Sequence, residues 1–263
     1  MRLRPRAALR RMRRAMTPPK RILEGLAEVE CKIASGWNRS AHKRLMAIQW
    51  GMPPEPESFD HQIDQFYWWT ETRNPQWVER GVYGALALRG GDLLELCCGD
   101  GFNARNFYSL KSKNVVACDF DPKAIGVARR KNHAPNVSFV VADIRTEMPD
   151  GQYDNIVWDA AIEHFTELEI PVVMRGIKDR LAPEGILSGH TVTALAGVHQ
   201  LSHHEYEFEG KEDLLRFFTP FFAHVLVFET EYPGRHNLHF WASDSSIPFG
   251  PGWTHAVRSD KTS

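Results

Sequence analysis

The chain has 263 residues, a formal net charge of −1 and 43% hydrophobic residues, enough apolar material for one sizeable core with appendages. No apolar run approaches the roughly 20 residues that a bilayer-spanning helix needs, and the four cysteines (Cys31, Cys97, Cys98, Cys118) show no C-x-x-C spacing and no disulfide framework. The near-neutral total hides an asymmetry: residues 1–50 hold 13 Lys/Arg against Glu24, Glu28 and Glu30, a local +10, which leaves −11 for the rest.

Residues 1–21 carry most of the basic excess and no acid. Three readings stay open for them: a solvated arm, a contact with an acidic partner such as nucleic acid or anionic lipid, or a targeting peptide. Ile22 to Met52 is predicted to be helical, with Ile22, Leu26, Val29, Ile33, Trp37, Leu45 and Ile48 as its apolar stripe and Gly36 as a possible break. Pro53, Pro54 and Pro56 mark a linker. The aromatic run Phe66-Tyr-Trp-Trp69 follows, read as a lid over a ligand or as packing for the N-terminal helix. A further helix is expected over Pro75 to Leu88.

Asp92-Leu-Leu-Glu-Leu-Cys-Cys-Gly-Asp-Gly-Phe102 is the most informative stretch. Asp92 to Leu96 reads as a strand covered on both faces. Gly99 and Gly101 then make a tight turn whose backbone can approach a ligand closely, and a helix is expected over Phe102 to Lys111. In open α/β sheets such a turn is where ligands bind. Gly99-x-Gly101-x-x-Ala104 also fits the dinucleotide fingerprint, with Asp119 twenty positions after Gly99. The charges point elsewhere. Glu95 and Asp100 flank the turn, and no Lys or Arg occurs until Arg105, whereas a pyrophosphate requires positive potential. S-adenosylmethionine, with a sulfonium, an ammonium and no phosphate, suits the acids better than NAD does.

Glu95-Leu-Cys-Cys-Gly-Asp-Gly101 resembles the first motif of the class I S-adenosylmethionine-dependent methyltransferases, with Cys97 where that family usually has a glycine. The resemblance runs from about Glu79 to Ser243. It implies a Rossmann-like three-layer α/β/α sandwich, its seven-stranded sheet in the order 3-2-1-4-5-7-6 with strand 7 antiparallel, behind an N-terminal helical extension (22–78) and ahead of a loose tail (244–263). Asn114 to Asp121 resembles the second motif, whose closing acid binds the ribose hydroxyls: Asp119, with Asp121 in reserve. Pro122 suits the first position of the next helix. Val137-Ser-Phe-Val-Val-Ala-Asp-Ile144 reads as the third strand, and its Asp143 and Ile144 correspond to the family's adenine contacts. Tyr153 to Asp159 resembles the fourth strand, and Leu181-Ala-Pro-Glu-Gly-Ile-Leu187 the turn into the fifth. The implied cofactor set is Glu95, Cys97, Gly99, Asp100, Gly101, Phe102, Asn103, Asp119, Phe120, Asp143, Ile144 and Asp159.

Glu163-His164 resembles the "E-H" that often follows the fourth strand. His164 is the first candidate for a general base and Asp159 the second; the competing reading of His164 is a histidine that fixes its loop. Some relatives bind a divalent ion through E-x-x-E-H, but Ala160 occupies the first acid position here, so no metal is expected. His199 to Phe208 reads as a polar loop on the substrate side. Tyr67, Trp68, His203, Tyr206 and Glu207 are the candidate substrate contacts. A helix over Lys211 to Phe218 and a hairpin, Ala223–Glu231 with Asn237–Ala242, complete the chain.

The expected activity is methyl transfer to an oxygen of a small molecule or a sugar- or lipid-linked metabolite, in the cytoplasm, with organelle targeting by residues 1–21 left open. The alternatives are an RNA or protein methyltransferase that uses the basic arm, and a non-catalytic relative that only binds the cofactor.

Overall fold

A computed structural model describes residues 20–50, 76–194, 203–232, 234–249 and 257–258. The basic arm up to residue 19, the aromatic run with Tyr67 and Trp68, and most of the tail lie outside the described residues.

Helix α1 spans Lys20–Trp50 without interruption at Gly36, and α2 spans Gln76–Leu86. The α/β succession follows. Strand β1 (Asp92–Leu96) leads to α3 (Phe102–Asn106) and β2 (Asn114–Asp119), then to α4 (Pro122–Lys131) and β3 (Val137–Val141). Next come β4 (Tyr153–Asp159), α5 (Ile170–Arg180) and β5 (Leu181–Val192), and then α6 (Lys211–Phe218), β6 (His224–Tyr232), β7 (Arg235–Ser243) and a two-residue β8 (Val257–Arg258). The sheet order is β3-β2-β1-β4-β5-β7-β6-β8. Strands β1 to β5 pair in parallel, and β7 runs antiparallel to both neighbours. This is the expected Rossmann-like order, with β8 added beside β6 from the stretch read as a loose tail.

Local chemistry explains the boundaries. Asp121 caps α4, its side chain accepting the Lys123 N–H, and Pro122 occupies the first turn, where its missing N–H costs nothing. The expected helix after the glycine turn is shorter than its pattern: α3 ends at Phe107, whose backbone leaves helical geometry, and a 3-10 turn at Tyr108–Leu110 follows. Alternation along the strands then builds two cores. Leu94, Leu96, Ile156 and Trp158 face α5 and α6, while Leu93, Val115, Val157 and Phe139 pack with Tyr108 and Ile125 on the other face. Both layers converge on the C-terminal ends of β1, β2 and β4.

Candidate functional site

The turn after β1 is built from positive-φ residues. Gly99 has φ 54° and Gly101 φ 75°. A Cβ on Gly101 would lie 2.4 Å from the Phe139 ring, closer than any side chain tolerates. Two non-glycine residues share the left-handed region: Cys97 (φ 54°) and Ala160 (φ 47°), just beyond the ends of β1 and β4. That conformation costs a non-glycine residue roughly 1–2 kcal/mol, and both residues line the same pocket.

This pocket, of about 270 Å³, opens at the C-terminal ends of the strands. Cys97 and Gly99 come from the turn, Asp119 and Phe120 from the end of β2, and Ala142 to Arg145 from beyond β3. Ala160, Ala161, His164 and Phe165 follow β4, and His203 and Glu205 come from the loop before α6. Asp119 is buried. Its carboxylate accepts the Gly99 N–H and the Asp121 N–H, each at 2.9 Å, which ties the turn to β2. Asp121, the reserve acid, is occupied as a helix cap. Asp143 reaches the pocket, and Arg145 holds it through Nε and Nη2; those hydrogen bonds keep its carboxyl below the usual range despite partial burial. The sequence did not mark Arg145 or Glu205 as pocket residues.

Glu95 faces inward from β1. Burial pushes its carboxyl well above the usual range, helped by the nearby charges of Asp159 and Asp100, and Oε2 has no partner. Asp100 supports the turn: its side chain accepts the Phe102 N–H, and its carbonyl accepts from Asn132. Phe102 and Asn103 do not line the pocket among the described residues. The Phe102 ring packs edge-on against Phe107.

Asp159 is clamped. Arg80 of α2 donates to its Oδ2 from Nε (2.9 Å) and Nη2 (2.6 Å), and Asn103 donates at 3.1 Å. Both ion-pair partners are nearly buried. Its position is that of a strut between α2 and the end of β4. Behind it lies a buried polar layer. His239 Nε2 meets Glu79 Oε1 at 2.9 Å, His190 Nε2 meets Asn237 Oδ1 at 3.1 Å, and the two rings lie 5.0 Å apart. Burial and the neighbouring His239 hold the His190 imidazole well below its usual range, so it stays neutral.

His164 ends the 3-10 turn Ile162–His164 that follows β4. Its Nδ1 meets the His203 carbonyl at 2.9 Å. A carbonyl only accepts, so Nδ1 carries the proton and the neutral ring keeps a lone pair on Nε2. Its neighbour Glu163 is buried and accepts the Thr191 hydroxyl at 2.9 Å. His203 lines the pocket. Tyr206 points elsewhere, its hydroxyl donating to Asp213 at 2.7 Å and its ring packing on Phe208. Glu207 approaches His204 at 3.8 Å.

A family model described as "methyltransferase domain" matches residues 93–185. The malonyl-[acyl-carrier protein] O-methyltransferase of Bacillus cytotoxicus is 32% identical over 111 residues, 42% of this chain and 37% of that protein. An uncharacterized methyltransferase of Synechocystis is 29% identical over 121 residues, 45% of this chain and 52% of that protein. The chain thus spans about half or less of the length of these curated relatives. Among solved structures, the N-methyltransferase NodS from Bradyrhizobium japonicum in complex with S-adenosyl-L-homocysteine superposes with a TM-score of 0.54 at 18% identity, covering 70% of this chain and 93% of that one. The DhpI–SAH complex gives 0.51 at 20%, covering 71% and 95%. These two share the fold. With the family match across β1 to β5 and the sheet order characteristic of that fold, residues 93–185 form a methyltransferase domain.

Proposed function

We propose that the protein transfers a methyl group from S-adenosylmethionine to a hydroxyl of a small or carrier-linked polar acceptor. The observation that carries this reading is the acid-rich pocket at the ends of β1, β2 and β4. The residues fit the cofactor. The Asp119 carboxylate, held at the end of β2 by the Gly99 and Asp121 N–H groups, is an acceptor pair whose geometry suits two ribose hydroxyls. Ile144 and Phe120 offer apolar surface at the pocket wall, and Asp143 stands beside them for an exocyclic amine. The unpartnered Glu95 Oε2 is a buried acceptor suited to an ammonium. Among the described residues, Arg145 is the one Lys or Arg that lines this pocket, and it is paired with Asp143, away from the turn that would hold a pyrophosphate.

When bound, S-adenosylmethionine supplies an activated methyl on a sulfonium, so the chain's tasks are alignment, exclusion of water and proton removal. The positive-φ residues Cys97 and Ala160 shape the pocket floor. Phe165 and Ala161 give it a dry wall. His164 Nε2, its ring fixed by the His203 carbonyl, takes the acceptor proton. The curated O-methyltransferase relative supports an oxygen acceptor.

Calorimetric titration with S-adenosylmethionine, and with NAD as control, tests the reading. Micromolar binding of the first alone is expected. Asp119→Ala removes two charge-assisted contacts at once and lowers affinity by about 100-fold or more. NAD binding, or full affinity in Asp119→Ala, would overturn the assignment.

A further inference from the structure

Glu163, His164 and His204 each bring one donor atom to within 4.8 Å of the other two. The two histidines come from different loops, one after β4 and one before α6, and their rings meet edge-on at 5.3 Å. Backbone hydrogen bonds staple these loops together: the Glu163 carbonyl accepts the N–H groups of both Glu205 and Tyr206. We propose that this triad is a binding site for a divalent first-row transition metal, with zinc as its natural test ion.

The surroundings support the proposal independently of the cluster itself. Ligating groups are typically steered by a hydrogen bond on the atom that does not ligate. Two members of this triad have such a partner. His164 Nδ1 donates to the His203 carbonyl at 2.9 Å, which leaves Nε2 as the ligating atom. Glu163 Oε2 accepts the Thr191 hydroxyl at 2.9 Å. The third, His204, has the Glu207 carboxylate nearby, at 3.8 Å from its Nδ1, beyond hydrogen-bond length. Two imidazoles and a carboxylate are a borderline donor set that suits zinc or iron(II) rather than magnesium or calcium. Three protein ligands leave a fourth position open, as in catalytic rather than structural zinc sites.

The place matters as much as the donors. His164 lines the pocket, with Glu205 and His203 beside it. A cation held here puts a Lewis acid where an acceptor hydroxyl would sit and lowers that hydroxyl's pKa. It would also occupy His164 Nε2, so in the loaded protein the cation would replace the imidazole as the activating group and the hydroxyl proton would leave to solvent. That consequence rests on the methyl-transfer reading; the site itself does not.

The test is a zinc titration of the full chain, stripped with a chelator, in competition with a chromophoric chelator. One ion per chain with submicromolar affinity is expected. His204→Ala and Glu163→Gln each weaken it at least about tenfold, while calorimetric affinity for S-adenosylmethionine stays unchanged. His133→Ala, at an exposed histidine away from the triad, leaves zinc affinity unaltered. Cobalt(II) in place of zinc shows the intense visible absorption of a four-coordinate ion, lost in His204→Ala. Zinc binding weaker than about 10 μM, or binding that survives His204→Ala, would overturn the proposal.

Discussion

Glu95 holds an unusual position for a carboxylate: the penultimate residue of a central strand, buried and with one oxygen unpartnered. Its carboxyl is raised by desolvation first, then by Asp159 and Asp100. The unfolded chain releases this proton near the ordinary 4.5, whereas the folded chain holds it to higher pH. Stability from this residue is therefore greatest at low pH and is lost as pH rises above 4.5 toward the folded value. Glutamine cannot titrate. Glu95→Gln is expected to stabilise the ligand-free protein by about 1–3 kcal/mol at pH 8 and by much less at pH 5, as read by thermal unfolding at both values, and to weaken S-adenosylmethionine binding. An equal gain at both pH values would show that Glu95 carries no shifted proton. Glu95 and Asp119 were legible in the sequence because strand-terminal acids around a glycine turn form a local pattern. Arg80 was not: its partner Asp159 lies 79 positions away, and no local signal ties a helix arginine to a particular distant acid. The buried histidines His190 and His239 were missed for the same reason, since each reads in sequence as one polar residue inside an apolar strand.

At the scale of elements, the sequence pattern located the strands well, because parallel strands with two covered faces read as short apolar runs. Helix lengths were less legible. The Phe102–Lys111 pattern continues past the point where Phe107 leaves helical geometry, and Gly36 does not interrupt α1, since a lone glycine costs a long helix only about 1 kcal/mol. The β4–β5 pairing depends on a close approach that no periodicity announces. Gly189 pairs with Trp158, and a Cβ there would lie 1.9 Å from the Trp158 carbonyl oxygen and 2.4 Å from the Phe240 ring. Gly189→Ala must push the two strands apart, at a cost of about 3 kcal/mol or more. Its melting temperature is expected to fall by about 6–12 °C. Gly210→Ala, with nothing within 4 Å of the new Cβ, should change it by less than about 2 °C. Equal effects in the two variants would contradict the packing described.

For the whole molecule, the basic and acidic halves of the charge distribution fall on different parts of the sequence. Residues 1–50 carry the basic excess, +10, and residues 51–263 the negative excess, −11. The apolar stripe of α1 (Ile22, Leu26, Val29, Ile33, Trp37) is exposed, Trp37 at 81%. None of these residues belongs to either large core. A chain starting at residue 51 is expected to keep its melting temperature within about 2 °C and to bind S-adenosylmethionine within about twofold of the full chain. A large loss of stability would mean that α1 belongs to the folding unit.

The four thiols divide along the same line. Burial holds Cys97 and Cys98 far into their protonated form and pushes Cys118 up to about 12, while Cys31 stands exposed on α1. Maleimides attack thiolates, so at neutral pH they modify Cys31 and spare the other three. The native sequence thus supplies a single attachment point for a fluorophore or spin label, placed on the helix whose position relative to the pocket such a probe would follow.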